Sequence, residues 1–496
     1  MTGLTPLMIG LQGPRADSKA LSLLRRTGAM SVLLLARNVE SPGQVRRLTL
    51  ELEQRLGRPL IFAVDHEGGW VLRFESGVTA FPGNAALGKA GDPRLAKAVG
   101  RQMARELRAL GIGLNLAPVL DVLGKKYNPG IHIRSFGADP EVVSKLGSAF
   151  ICGQQVHRLA ACVKHFPGKG AARQDAHLTL PLISESRRRM LKLHLAPFKA
   201  AVEAGAACVM SSHAVFPALD PTKTPATFSR PIITDLLRSR LGFKGVAISD
   251  DLCMGAVTES RTIPESALEA FLAGHDLLIV AHVPEAMLET SELLLSAASD
   301  GRIPSGRWER SLGRIEALSR GFRPARGPSP KAEPGLALRI SRKAVEIVQE
   351  GAVPVPLPLR GGRLAVLWPD LREVRDRFTF EGGPSAPLKR VMSSVSRWPV
   401  KPVFALTPVV SGKEVAPALR AAAKADAALF FCFEAMRFPG QRRALEALQQ
   451  AAGRKLAVCL LRNPWDKDLL RPGVTALHAY GYRDCQIQAV LEALQP

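Results

Sequence analysis

Ionisable side chains stand at the ends of apolar runs at five places along the chain. The run PLIFAVD (59–65) ends in Asp65, with His66 and Glu67 directly after it, and IGLNLAPV (112–119) leads to Asp121. LAACVKHF (159–166) carries Lys164 and His165, AACVMSSH (206–213) ends in His213, and GVAISDD (245–251) ends in Asp250 and Asp251. An ionised group at the end of an apolar strand costs free energy unless it is paired or solvated in a cleft. One such residue reads equally well as a helix N-cap. Five converging on one face read as a functional cleft.

Two segments narrow the chemistry. KHFPGKGAARQDAHLTLP (164–181) follows the fifth apolar run, and its Gly and Pro content suits a loop that arches over a site. Asp175 and His177 lie two residues apart in it, and in extended backbone such residues face the same way. A carboxylate holding an imidazole orients the ring and raises its proton affinity, which suits general acid–base work. Many Asp-x-His pairs are plain loop hydrogen bonds, so the placement of this one in the loop carries the reading. In the run that ends at Asp250 and Asp251, alternation lets only one carboxylate enter the cleft. Asp250 is the expected reactive group, and Asp251 turns away, where it also suits an N-cap.

The elements that must hold these residues are legible as eight short apolar runs with helical stretches between them. Besides the five above they include PLMIGL (6–11), SVLLLA (31–36) and DLLIVA (276–281), all of strand length and aliphatic, as in a parallel strand buried on both faces. The intervening segments 41–57, 92–111 and 139–158 open with Ser-Pro or Asp-Pro and continue with apolar residues at helical spacing. Eight strands with helical returns predict an α/β fold of the (β/α)8 TIM-barrel type, whose chemistry sits at the C-terminal ends of the strands. Around GFRPARGPSPKAEPG (321–335) the periodicity stops, as in a linker. Beyond it, strand-like runs at 363–369, 402–406, 427–433, 455–464 and 474–481, with helices at 441–453 and 485–495, predict a second, smaller α/β layered C-terminal domain. The expected division is a barrel over 1–322, a linker over 323–337 and the second domain over 338–496.

Composition sets outer bounds. With 496 residues and 46% hydrophobic content the chain can bury a large core, which excludes wholesale disorder. The 67 Lys and Arg against 44 Asp and Glu give a net charge of +23, but the basic residues are spread along amphipathic helices with no nucleic-acid-binding motif. No nucleic-acid partner is expected. No run is long enough to span a membrane, no leader pattern opens the sequence, and the seven cysteines sit mostly in apolar runs, so a cytoplasmic protein is expected. The acidic residues lack metal-loop spacing and no CxxC pair occurs, so no metal or cofactor is expected. Oligomeric state is not legible.

A series of motifs in order resembles glycoside hydrolase family 3, in its β-N-acetylhexosaminidase branch that works in peptidoglycan recycling. The motifs are AVDHEGGWVLRF (63–74), FPGNAALG (81–88), NLAPVLDV (115–122), RSFGADP (134–140), KHFPGKGAARQDAHLTLP (164–181), MSSHAVFPALDP (210–221), PATFSRPIITDLLRSRLGF (225–243) and ISDDLCMGA (248–256). They cover about the first two-thirds of the chain; ISRKAVEIVQEGAVPVPL (340–357) opens a looser match to the family's second domain. The resemblance implies a retaining exo-β-N-acetylglucosaminidase acting on terminal GlcNAc of muropeptide fragments, with a small carbohydrate as its partner. It implies Asp250 as nucleophile, His177 as acid and then base, Asp175 as the residue orienting it, and Asp65, Arg73, Arg134, Lys164, His165 and His213 at the −1 sugar. Two alternatives go with it: a relative acting on other β-glycosides or by phosphorolysis, and a sugar-binding barrel with weakened turnover. Three departures mark this chain, namely Trp70 for the usual arginine, Lys169 for a histidine, and Ala171-Ala172 for Asp-Thr. Trp70 is expected to alter sugar contacts, and the other two to change loop anchoring.

Overall fold

A computed structural model describes every residue except 1–2, 75, 125–126, 175–178, 259–260, 329, 359, 379, 381–382 and 412. The first eight strands are β1 (Thr5–Gly10), β2 (Ala29–Leu34), β3 (Ile61–Val64), β4 (Leu114–Asn115), β5 (Ala160–Phe166), β6 (Cys208–Ser211), β7 (Val246–Ile248) and β8 (Leu278–Val280). They pair in parallel in the order β7-β6-β5-β4-β3-β2-β1-β8. A further parallel bridge from Ile248 to Leu277 brings the two ends together, so the sheet closes into the predicted barrel.

The apolar runs conceal a period of two that polarity does not reveal. Met8, Leu33, Ile61, Ala63, Cys162, Cys208, Met210 and Ile248 form one cluster inside the barrel. Their neighbours Ile9, Val32, Leu34, Phe62 and Val64 pack outward against helices. Both faces are covered, so both must be apolar. The helix Arg307–Gly321 adds Ile315 and Leu318 to the inner cluster. The helices Pro42–Leu56, Pro93–Ala109 and Pro140–Val156 start as the sequence predicts, with Ser41, Asp92 and Asp139 each accepting a backbone N–H of the first turn and proline pre-setting that turn.

The second sheet contains β9 (Glu346–Gln349), β10 (Arg363–Pro369), β11 (Lys401–Thr407), β12 (Ala427–Cys432), β13 (Leu456–Leu460) and β14 (Thr475–His478), in the order β11-β10-β12-β13-β14-β9. Only β9 runs antiparallel, against β14. It is the one strand of this domain not anticipated, because EIVQ is short, half exposed and without alternation. The sheet is covered on both faces: Leu364, Val366 and Trp368 belong to one cluster, Ala365 and Leu367 to another.

The two parts meet around the barrel mouth. Arg483 donates from Nε to the Gly69 carbonyl at 2.6 Å, and Gln486 donates to the Pro82 carbonyl at 3.1 Å. Gly69 has φ of 59°, and a Cβ there would stand 2.8 Å from the Pro82 carbonyl oxygen, so this close turn requires glycine. The helix Pro334–Ala344 packs Leu336, Ala337, Ile340 and Ala344 into a cluster shared with the barrel helices. Among the described residues, no helix is long and apolar enough to cross a membrane, and no group of three or more His, Cys, Asp or Glu could hold a metal ion.

Candidate active site

β3, β4, β5, β6 and β7 deliver ionisable side chains to one end of the barrel. Just past β3, Asp65 accepts from Lys164 Nζ at 2.6 Å through Oδ1 and from Arg73 Nη2 at 3.4 Å through Oδ2. Two residues on, Glu67 accepts both arms of Arg134 at 2.9 and 2.7 Å and lies 2.7 Å from Lys164 Nζ. Burial drives the Glu67 carboxyl up, but Arg134 and Lys164 outweigh it and pull it down to about 2. Lys164 is desolvated as well, yet Asp65 and Glu67 hold its ammonium charged, above its ordinary range. Asp65, Glu67, Arg73, Arg134 and Lys164 therefore form one network of ion pairs, in which each group has a partner of opposite sign.

A second network lies deeper. The buried Asp121 carboxylate accepts from His165 Nδ1 at 2.7 Å and from the Lys169 backbone N–H at 2.6 Å. Burial dominates here and raises the Asp121 carboxyl to about 6, against the pull of Lys169. Past β7, Asp250 Oδ1 accepts the backbone N–H of Asp251 at 3.0 Å, and Oδ2 stands 3.9 Å from Lys169 Nζ. The Asp251 carboxylate turns the other way, to His282 Nε2 at 3.2 Å and to the Cys253 N–H at 3.0 Å. Burial pushes the Asp250 carboxyl up, but Lys169, His213 and Lys164 together hold it below its ordinary value. An ionised carboxylate beside a cation-rich cleft is competent to attack an electrophilic carbon.

The site lies within the barrel, and the Glycosyl hydrolase family 3 N terminal domain matches residues 8–318. The chain belongs to glycosyl hydrolase family 3. A protein named beta-hexosaminidase from Alkalilimnicola ehrlichii is 37% identical over 347 residues, which are 66% of this chain and 99% of that one. The structure of a family 3 beta-N-acetylglucosaminidase from Paenibacillus sp. str. FPU-7 superposes with a TM-score of 0.91 at 33% identity, covering 99% of this chain and 95% of that chain. NagZ from Neisseria gonorrhoeae, solved in complex with N-trifluoroacetyl-D-glucosamine, matches at 31% identity and a TM-score of 0.59, over 69% of this chain and 98% of its own. The chain is a glycoside hydrolase.

Of the residues singled out in this family 3 sequence, Asp65, Arg73, Arg134, Lys164 and Asp250 come together at the barrel mouth. His165 lies directly beneath them on Asp121. Asp175 and His177 fall outside the described residues. His213 differs from the expected sugar ligand. Burial keeps its ring neutral, Nε2 donates to the Asp251 carbonyl at 3.0 Å, and Nδ1 pairs with Thr227 Oγ1 at 2.8 Å. With both nitrogens engaged it props the Asp250–Asp251 turn.

Trp70 makes a contact that the sequence did not foretell. Its indole is covered by His132 at 5.0 Å on one side and by the Arg462 guanidinium at 3.2 Å from the ring centroid. Both partners are buried and Arg462 comes from the C-terminal domain, so the half-buried indole is engaged in a contact between the two parts of the chain. Lys169 also differs: its backbone does anchor the loop, but its side chain enters the cleft. Glu67 and Lys169 were the functional residues missed. Glu67 was visible as a third charge directly after β3, whereas nothing in the spacing told where the Lys169 ammonium would go.

Proposed function

We propose that the chain is a retaining exo-β-N-acetylglucosaminidase that removes terminal GlcNAc from peptidoglycan-derived muropeptides through a covalent glycosyl-enzyme. The observation that carries this reading is the ionised Asp250 carboxylate at the rim shared with the Asp65–Lys164–Glu67–Arg134 network. In the first step Asp250 bonds the anomeric carbon while His177, oriented by Asp175, gives its proton to the departing glycosidic oxygen. In the second, water gives a proton to His177 and displaces Asp250, so the configuration is retained. Asp65, Arg73 and Lys164 offer fixed charges to the sugar hydroxyls, and Arg134 and His165 hold that arrangement in place. Support comes from the β-hexosaminidase name of the relatives and from the N-acetylglucosaminidase structure matched along nearly the whole chain. Among the described residues no disulfide links the cysteines, which suits a reducing, cytoplasmic setting.

The test is covalent trapping. A 5-fluoro glycosyl fluoride of N-acetylglucosamine should add one sugar mass to the peptide containing Asp250. Asp250→Asn and His177→Ala should each lower aryl-GlcNAc hydrolysis by about 10²-fold or more. Wild-type rates in either variant, or a label on another residue, would overturn the mechanism. Release of sugar 1-phosphate when phosphate is added would replace water as the acceptor.

A further inference from the structure

The nucleophile faces a cation that the sugar network does not use. Lys169 Nζ stands 3.9 Å from Asp250 Oδ2, and the two side chains are only 8% and 17% exposed. The root of this lysine is fixed. Its N–H donates to Asp121 Oδ1 at 2.6 Å, and its carbonyl accepts from Asn128 Nδ2 at 3.1 Å. The following Gly170 packs so closely that a Cβ would lie 1.8 Å from the Val122 carbonyl oxygen. The ammonium is therefore held at the nucleophile by a backbone that has no slack.

The other groups around the pair are accounted for. From β5, Lys164 faces Asp250 but is already paired with Asp65 and Glu67 at 2.6 and 2.7 Å, and the Cys162 thiol stays protonated through burial. From the end of β6, His213 is neutral and bonded to Thr227 and the Asp251 carbonyl. The Asp251 carboxylate points to His282. On the far side, burial lowers the Lys169 ammonium from its ordinary range, Asp250 and Asp121 pull it back up, and the like charges of Arg134 and Lys164 oppose them. Among the described residues, Lys169 is the one cation within ion-pair distance of Asp250.

We propose that Lys169 is a positioning residue that keeps Asp250 an anion and speeds its departure from the glycosyl-enzyme. The inference rests on Asp250 being the nucleophile. When the Asp250 oxygen bonds the anomeric carbon, the carboxylate loses its charge, and the adjacent cation loses its partner. When that bond breaks, the electron pair returns to the carboxylate as water supplies the new oxygen, and the cation regains its partner. Lys169 thus opposes the first step modestly and favours the second. Burial drives the Asp250 carboxyl up and Lys169 supplies the largest opposing pull, which agrees with this assignment.

The experiment compares wild type, Lys169→Met and Lys169→Arg in pre-steady-state hydrolysis of an activated aryl-GlcNAc, after fluorosugar labelling of Asp250 in wild type. Lys169→Met should slow deglycosylation about 10-fold, seen as a larger burst of released phenol, and move the acid limb of kcat/KM up by about one pH unit. Lys169→Arg keeps the charge and should leave that limb within a few tenths of a unit of wild type. Should Lys169→Met not fold, Lys169→His supplies a cation that titrates near pH ~6.5, so its burst should grow as pH rises through that range. Labelled Asp250 together with an unchanged burst and limb in Lys169→Met, or a pH-independent burst in Lys169→His, overturns the role of Lys169 alone. Failure to label Asp250 in wild type removes the nucleophile and this inference with it.

Discussion

Glu67 shows how much one carboxylate settles at the barrel mouth. It answers Arg134 through two hydrogen bonds and Lys164 through a 2.7 Å contact while its side chain is only 2% exposed. Glu67→Gln keeps the shape but leaves Lys164 and Arg134 with Asp65 as the remaining carboxylate of the network. Removing one partner of a buried ion pair costs about 3–5 kcal/mol, so urea denaturation at pH 7 should show a loss near the lower end, with a raised KM. The pH dependence has a definite sign. The folded Glu67 carboxyl titrates at about 2, below its ordinary 4.5, so its stabilisation is complete above 4.5 and is lost as pH falls through about 2. The stability gap between wild type and Glu67→Gln should therefore stay constant from pH 7 to 5 and shrink towards pH 2. A gap that does not depend on pH would show that the network does not hold Glu67 ionised.

At the scale of elements, the barrel was legible because its strands are apolar on both faces and its helices begin with Asp-Pro or Ser-Pro. Polarity could not say which aliphatic residues face inward, since the inner and outer layers demand the same chemistry. Nor could it show that β4 is reduced to Leu114–Asn115, or that the loop after β5 is tied to the segment after β4. Asp121 makes that tie: it holds His165 and the Lys169 backbone at once, which sequence position alone could not reveal. Asp121→Asn retains one acceptor oxygen, so it can no longer accept from both His165 Nδ1 and the Lys169 N–H through separate oxygens. A buried donor left unsatisfied costs about 1–3 kcal/mol, and the side chains of Lys169 and Lys164 should lose their register with it. We expect a matching loss in urea denaturation and a fall in kcat of at least about 10-fold with a smaller change in KM. Loss of stability with kcat intact would reduce Asp121 to a structural tie.

For the whole molecule, the C-terminal domain touches the loops that carry the site. Trp70 lies three residues after Glu67 and three before Arg73, and His132 sits two residues before Arg134, so the residues clasped between the domains belong to the loops that carry the network. On the other side stand Arg462, 3.0 Å from the buried Glu434, and Arg483 on the Gly69 carbonyl. The motif departure at Trp70 thus records a domain contact, which the sequence read as a sugar contact because no alternation or spacing links residues nearly four hundred positions apart. The prediction is a coupling. A desolvated guanidinium on an indole contributes about 2 kcal/mol, so Trp70→Ala and Arg462→Met should show a coupling energy of about 1–2 kcal/mol in a double-mutant cycle of unfolding. Each single variant should also raise KM for aryl-GlcNAc several-fold while leaving the burst amplitude near wild type. Independent effects on stability with KM unmoved would mean that the domains touch without holding the loops. A changed burst would mean that the contact reaches past the charged network at the barrel mouth to Asp250.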